Sequence, residues 1–155
     1  ALVTEMGPAA FSAQMSHLIG TAARSVARVL QKMNGIHEAT ETLDDGTTIR
    51  VHFAIEGDRG ALTIDAEPHH GNLNAPPAVA RAALLYVLRT LVDEPLPLLN
   101  EGSLNPVQIK VNPGGLFDPR EPAAVVGGNG KAAVRGRYRQ IQRAQVRHPS
   151  MRQGD

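Results

Sequence analysis

A chain of 155 residues, 42% apolar and 20% charged, is long enough to bury a core of its own and reads as one globular domain. The absence of Cys excludes a disulfide framework, a thiolate zinc site and a cysteine nucleophile, and fits a reducing, cytoplasmic setting. With no Trp and 3% aromatic residues, the chain also lacks stacking platforms for bases.

The net charge of +1 hides an asymmetry. Residues 1–130 carry nine Lys/Arg against fourteen Asp/Glu, and residues 131–155 carry seven against one. This change of sign divides the chain into an α+β part, 1–130, and a basic segment, 131–155, expected to be weakly helical or disordered. No leader of charged then apolar residues opens the sequence, which supports the expectation of a soluble protein.

In chain order, Pro8 suits a helix start. Phe11, Met15, Leu18, Ile19, Ala22, Val26, Leu30 and Met33 then recur at spacings of three and four, an amphipathic helix stopped by Asn34-Gly35. His17 falls on its polar face. Asp44-Asp45-Gly46 makes a turn, after which Ile49, Val51, Phe53 and Ile55 alternate with Thr48, Arg50, His52 and Ala54. Gly57-Asp58-Arg59-Gly60 turns the chain again, and Leu62, Ile64 and Ala66 alternate with Thr63 and Asp65. A further strand is expected over Glu38–Leu43.

The run Gly71-Asn-Leu-Asn-Ala-Pro-Pro77 reads as a polar loop opening a helix. The side-chain oxygen of Asn74 is suited to cap the first turn, and Pro76 and Pro77 suit its first positions. From Val79 to Val92 almost every residue is apolar, with Arg81 and Arg89 on one stripe, so a core helix buried all round is expected. Pro95 and Pro97 forbid its continuation. Val107, Ile109 and Val111 give a last strand before the turn Asn112-Pro113-Gly114-Gly115. The order predicts an α+β fold: an antiparallel sheet of three to four strands on two main helices, with a loop-rich C-terminal part.

Chemistry-bearing residues are few. Asp65, Glu67 and His69 alternate on one strand face with His70 adjacent, a pattern that would suit a divalent metal were it not for Pro68; the plain reading is a polar loop, and no metal ligand is assigned. Gly71-Asn72-Leu73-Asn74 offers amides and backbone N–H groups at a helix start, suited to an oxygen of a ligand. Asn100-Glu101-Gly102-Ser103 and Gly127-Gly128-Asn129 are loops of the same kind. Asn72, Asn74, Asn100, Gly127, Gly128 and Asn129 are therefore the candidate substrate-binding residues; no catalytic residue is assigned. No phosphate loop ending in Gly-Lys-Ser/Thr and no nucleophile elbow occurs.

The blocks Gly71-Asn-Leu-Asn-Ala-Pro-Pro-Ala-Val79, Leu85-Tyr-Val-Leu-Arg-Thr-Leu-Val92, Pro97-Leu-Leu-Asn-Glu-Gly-Ser-Leu-Asn-Pro-Val107, Pro113-Gly-Gly-Leu-Phe-Asp-Pro-Arg120 and Pro122-Ala-Ala-Val-Val-Gly-Gly-Asn129 resemble, in order, those of the hydantoinase B/5-oxoprolinase family. The resemblance spans roughly residues 15 to 129. It departs at Asp65-Ala-Glu-Pro-His-His70, where relatives look more like a Phe-Ser/Thr-Gly-Thr/Ser run, and after Asn129, where nothing matches.

The resemblance implies part of an ATP-dependent cyclic amidohydrolase that opens a hydantoin or 5-oxoproline ring, related to ketone carboxylases. A hydantoinase A-type partner binds ATP with Mg and phosphorylates the substrate carbonyl, turning a poor electrophile into one with a leaving group. The family's metal-binding His and Asp motifs lie upstream of the matched blocks, so this chain is expected to bind no cofactor and to be inactive alone. Two other classes compete: a small non-enzymatic α+β binding module, and a nucleic-acid binder using Arg135, Arg137, Arg139, Arg143, Arg147 and Arg152 with Tyr138.

Overall fold

A computed structural model of the chain describes residues 6–93 and 100–125. The elements in order are α1 (Pro8–Lys32), β1 (Gly35–Thr42), β2 (Thr48–Glu56), β3 (Arg59–Ala66), α2 (Pro77–Leu91), a 3-10 turn (Glu101–Leu104) and β4 (Val107–Val111). Both helices start at Pro, as the missing N–H allows. β1 occupies the region where a further strand was expected.

The sheet runs β1-β2-β3-β4. β1, β2 and β3 form an antiparallel meander with no bulge in either ladder, Ala39 opposite Val51 and Val51 opposite Ile64. β4 lies parallel to β3, Leu62 opposite Ile109, so the sheet is mixed rather than purely antiparallel. The reason is the connection: α2 separates two neighbouring strands, and a crossover through a helix returns the chain to the end from which β3 began.

Strict alternation sorts the faces. In β3, Gly60, Leu62, Ile64 and Ala66 are buried while Arg59, Ala61, Thr63 and Asp65 are exposed. The inner face of the sheet joins Val26 and Leu30 of α1, Leu84 and Leu88 of α2, and Leu116 and Phe117 in one core. The outer face carries charge, with Arg50 3.9 Å from Asp65 and His52 3.9 Å from Glu38.

Neither helix is covered all round. In α1 the buried residues are Ala22, Ser25, Val26 and Leu30, all in its second half, and Met15 and Ile19 further up the same stripe stay 38% and 40% exposed. His17 is exposed, as its polar face requires. In α2 only Ala80, Leu84 and Leu88 are buried, and Tyr86 is 51% exposed. The expectation of a helix buried on every side is therefore corrected. A four-stranded sheet and one companion helix supply enough surface to cover a single stripe, whatever the residues on the other side. Among the described residues, no helix is long and apolar enough to cross a membrane.

Candidate functional site

The loops with the most polar side chains gather where β3 and β4 end and α2 begins. The carboxyl ends of parallel strands are where open α/β sheets place their ligands. Several tethers build this end. Asn112, just past β4, presents its Oδ1 to the N–H of Ala66 at 2.9 Å and donates from Nδ2 to the Ala66 carbonyl at 3.0 Å. Its side chain so continues the ladder one step beyond the strands. Gly115 rests on the same carbonyl: a Cβ there would lie 2.3 Å from Ala66 O. Leu116 accepts from Ala75 N at 2.8 Å, which fixes the start of α2 against this loop.

Asn74 is the centre of the arrangement and does not do what its position suggests. It is 1% exposed, and its Nδ2 donates to the carbonyls of His69 and Gly71 at 3.0 Å and of Ala124 at 3.2 Å. The N-cap residue of α2 is Pro76, and no side chain caps the helix. The expected capping role is thus corrected: three carbonyls converge on this point, and only the amino end of the amide can answer them. Its Oδ1 is buried and meets no donor among the described residues.

Of the other candidates, Asn72 is exposed on the same loop. Asn100 is used elsewhere. Its side chain accepts from Gly102 N at 2.9 Å, capping the 3-10 turn, and donates to Leu18 O of α1 at 3.5 Å. Among the described residues Asn74 and Asn100 bond different groups. Gly127, Gly128 and Asn129 lie outside the described residues, as does the basic segment 131–155.

The structure breaks up the carboxylate and histidine pattern of the loop leaving β3. Asp65 and Glu67 face Arg50, at 3.9 and 3.8 Å. His69 turns the other way and pairs through Nδ1 with Asp45 Oδ2 at 2.8 Å, with the Thr47 hydroxyl at 3.2 Å from the same nitrogen. Among the described residues no three His, Cys, Asp or Glu side chains are grouped to hold a metal ion. The pairing of His69 with Asp45 was not foreseen. The one signal for it is the turn Asp44-Asp45-Gly46, which an aspartate closes by accepting the N–H two residues on; Asp45 Oδ1 does so from Thr47 at 3.0 Å.

That hydrogen bond is also the main reason the Asp45 carboxyl is held below its ordinary value; the Thr47 hydroxyl and the charge of His69 act in the same direction, against partial burial. An ionised Asp45 orients the imidazole, so that its Nε2 packs over Gly71, where a Cβ would lie 2.5 Å away. The arrangement pins the β3–α2 loop to the β1–β2 turn. It gives this end of the sheet one carboxylate-backed imidazole and one exposed amide.

Comparison with known proteins agrees with this architecture. The solved ATP-dependent caprolactamase from Pseudomonas jessenii superposes with a TM-score of 0.66 at 23% identity, over 81% of this chain and 23% of that one. The 5-oxoprolinase of Saccharomyces cerevisiae is 39% identical over 124 residues, which is 74% of this chain and 10% of that protein. The 5-oxoprolinase 1 of Arabidopsis thaliana is 44% identical over 96 residues, 59% of this chain and 8% of that one. The chain thus spans about a tenth of the length of these curated relatives. The model of the hydantoinase B/oxoprolinase family matches residues 1–137, and with that match over most of its length the chain belongs to the hydantoinase B/oxoprolinase family.

Proposed function

We propose that the chain supplies the α+β part of an ATP-dependent cyclic amidohydrolase that opens a hydantoin or 5-oxoproline ring in the cytoplasm, and that it does not turn over substrate alone. The observation that carries this reading is the 39% identity to a 5-oxoprolinase sustained over 124 residues, in a chain with one tenth of that protein's length. Fold alone would not suffice, because one fold hosts many activities.

A hydantoinase A-type partner would bind ATP with Mg, and ATP would supply activation of the amide carbonyl. A divalent ion in the complete enzyme is not held by this part. Among the described residues Asp65 and Glu67 are turned to Arg50 and His69 to Asp45, so these donors do not fit one. The residues of this chain position a loop. Asn112 holds the carboxyl ends of β3 and β4 together, Asn74 ties the β3–α2 loop to the backbone of Ala124, and Asn72 offers its amide on that loop to a carbonyl or carboxylate oxygen of substrate. Asn74 and Asn100 act through the backbone they fasten, and Gly127, Gly128 and Asn129 are proposed to complete the contact surface.

The test exchanges the matched stretch of the yeast 5-oxoprolinase for that of this chain and measures ATP-dependent 5-oxoproline hydrolysis. Retained turnover is expected, with KM raised several-fold by Asn72→Ala and kcat little changed. A folded but inactive exchange protein overturns the reading. Ring opening by the purified chain alone, without a partner, overturns the claim that it is incomplete.

A further inference from the structure

The loop between β3 and α2 is held on both sides of its exposed tip. On the downstream side Leu73 packs against the core, and Asn74 gathers the carbonyls of His69, Gly71 and Ala124. On the upstream side the holding group reaches across to another part of the chain. The His69 side chain is 11% exposed, bonds Asp45 Oδ2 through Nδ1 at 2.8 Å, and lays Nε2 over Gly71 so closely that a Cβ there would lie 2.5 Å away. Between these two holds sits Asn72, exposed to solvent.

The upstream hold is itself anchored. An ionised carboxylate only accepts, so the Nδ1 proton is directed at Asp45 and the plane of the ring is set by that bond. Asp45 is fixed in turn through Oδ1, which accepts from Thr47 N at 3.0 Å. The turn that carries it is closed by Leu43 N on Thr47 O and Gly46 N on Leu43 O, both at 2.9 Å. A rigid turn therefore aims the imidazole, and the imidazole covers the residue just before Asn72. With Nδ1 engaged and Nε2 set against Gly71, the ring is placed as a brace and not as a proton carrier.

We propose that His69, aimed by Asp45, is a positioning residue: it presents the Asn72 amide to an oxygen of the cyclic amide substrate, while neither His69 nor Asp45 touches the substrate. The inference rests on the reading of Asn72 as a substrate contact given above. A tip free to move would have to be ordered when substrate binds, at the expense of affinity. One braced on both sides is ordered on folding, before substrate arrives. The benefit lies in binding, so its loss falls on KM and spares kcat.

The test uses the exchange protein described above, with substitutions made in the stretch taken from this chain and 5-oxoproline as the probe. His69→Ala and Asp45→Ala should each raise KM about three- to tenfold, the effect of freeing one or two groups that binding must then order, with kcat little changed. In an Asn72→Ala background His69→Ala should raise KM no further, because it acts only through that amide. A brace that served the fold alone would lower Tm in both backgrounds and leave KM where it was. Relaxation of 15N on the full chain supplies a second measurement that needs no activity. The order parameter of the Asn72 amide should fall from about 0.8 in the wild type to about 0.6 or less in His69→Ala, while Leu62 and Ile64 of β3 keep theirs. An unmoved KM, a KM rise that persists in the Asn72→Ala background, or an Asn72 amide as ordered without the imidazole as with it would each overturn the inference and leave the underlying reading intact. An exchange protein that is inactive, or whose KM ignores Asn72→Ala, overturns that reading and the inference with it.

Discussion

His69 and Asp45 meet at 2.8 Å, and the pair fastens the loop leaving β3 to the turn that joins β1 to β2. Asp45 is held by a backbone N–H on one oxygen and by an imidazole on the other, so its charge is used twice.

A pH dependence follows from that geometry. The folded-state value of Asp45 lies below its ordinary 3.8, chiefly through the hydrogen bond from Thr47 N. A group lowered on folding stabilises the native state above its unfolded value and loses that contribution as pH falls through the folded one. Asp45→Asn should therefore melt below the wild type at neutral pH, and the gap should close as pH is taken down through 3.8 and beyond. Thermal melts of both proteins over that range measure it. A gap that stays constant into acid would show that the carboxylate charge contributes nothing here.

Two glycines in contact with neighbours should respond unequally to Ala. At Gly102 the new Cβ would lie 2.2 Å from the carbonyl oxygen of Ile19, a backbone atom in the middle of α1. At Gly71 it would meet the His69 ring at 2.5 Å, and a ring can rotate at the expense of its bond to Asp45. Gly102→Ala should destabilise by about 3 kcal/mol or more, against about 1–2 kcal/mol for Gly71→Ala. Urea titrations would show the order. The Gly71→Ala loss should also shrink in a His69→Ala background, because the two positions share one contact.

Along α2 the side facing the core should decide solubility. Leu84 is 4% exposed, and an aspartate there would place an unpaired carboxylate among Leu88, Ile64 and Leu116 at a cost of several kcal/mol. Leu84→Asp should fail to give a cooperatively melting protein. Tyr86→Asp, two residues on and so on the opposite side of the helix, should melt within a few degrees of the wild type. Equal damage from the two changes would mean that the open side is covered in solution.

What the sequence discloses and what it conceals divide along physical lines. Alternation along Ile49–Ile55 and Leu62–Ala66 shows which residues face inward, because period and burial are the same fact in a half-covered strand. The direction of β4 was not legible from its own five residues; it follows from the helix that precedes it. The all-apolar run of α2 misleads, since apolar character records what a helix tolerates around it and not how much this chain provides. Asn74 misleads for a different reason. A cap and a carbonyl tether need the same residue type, and the choice between them depends on Ala124, fifty positions on. His69 with Asp45 was hidden because each residue has an adequate local explanation, as a loop histidine and a turn aspartate.

The parallel pairing of β3 with β4 also sets an order of assembly. β1, β2 and β3 zip together through two tight turns, so most of their contacts are between residues close along the chain. Leu62 meets Ile109 only after α2 and the 3-10 turn have been traversed. Closing so long a segment loses more chain entropy before any contact repays it. The meander is thus the early-forming unit and β4 the late arrival. During synthesis from the N-terminus, the three-stranded unit emerges with its β3 edge bare until the last strand leaves the ribosome.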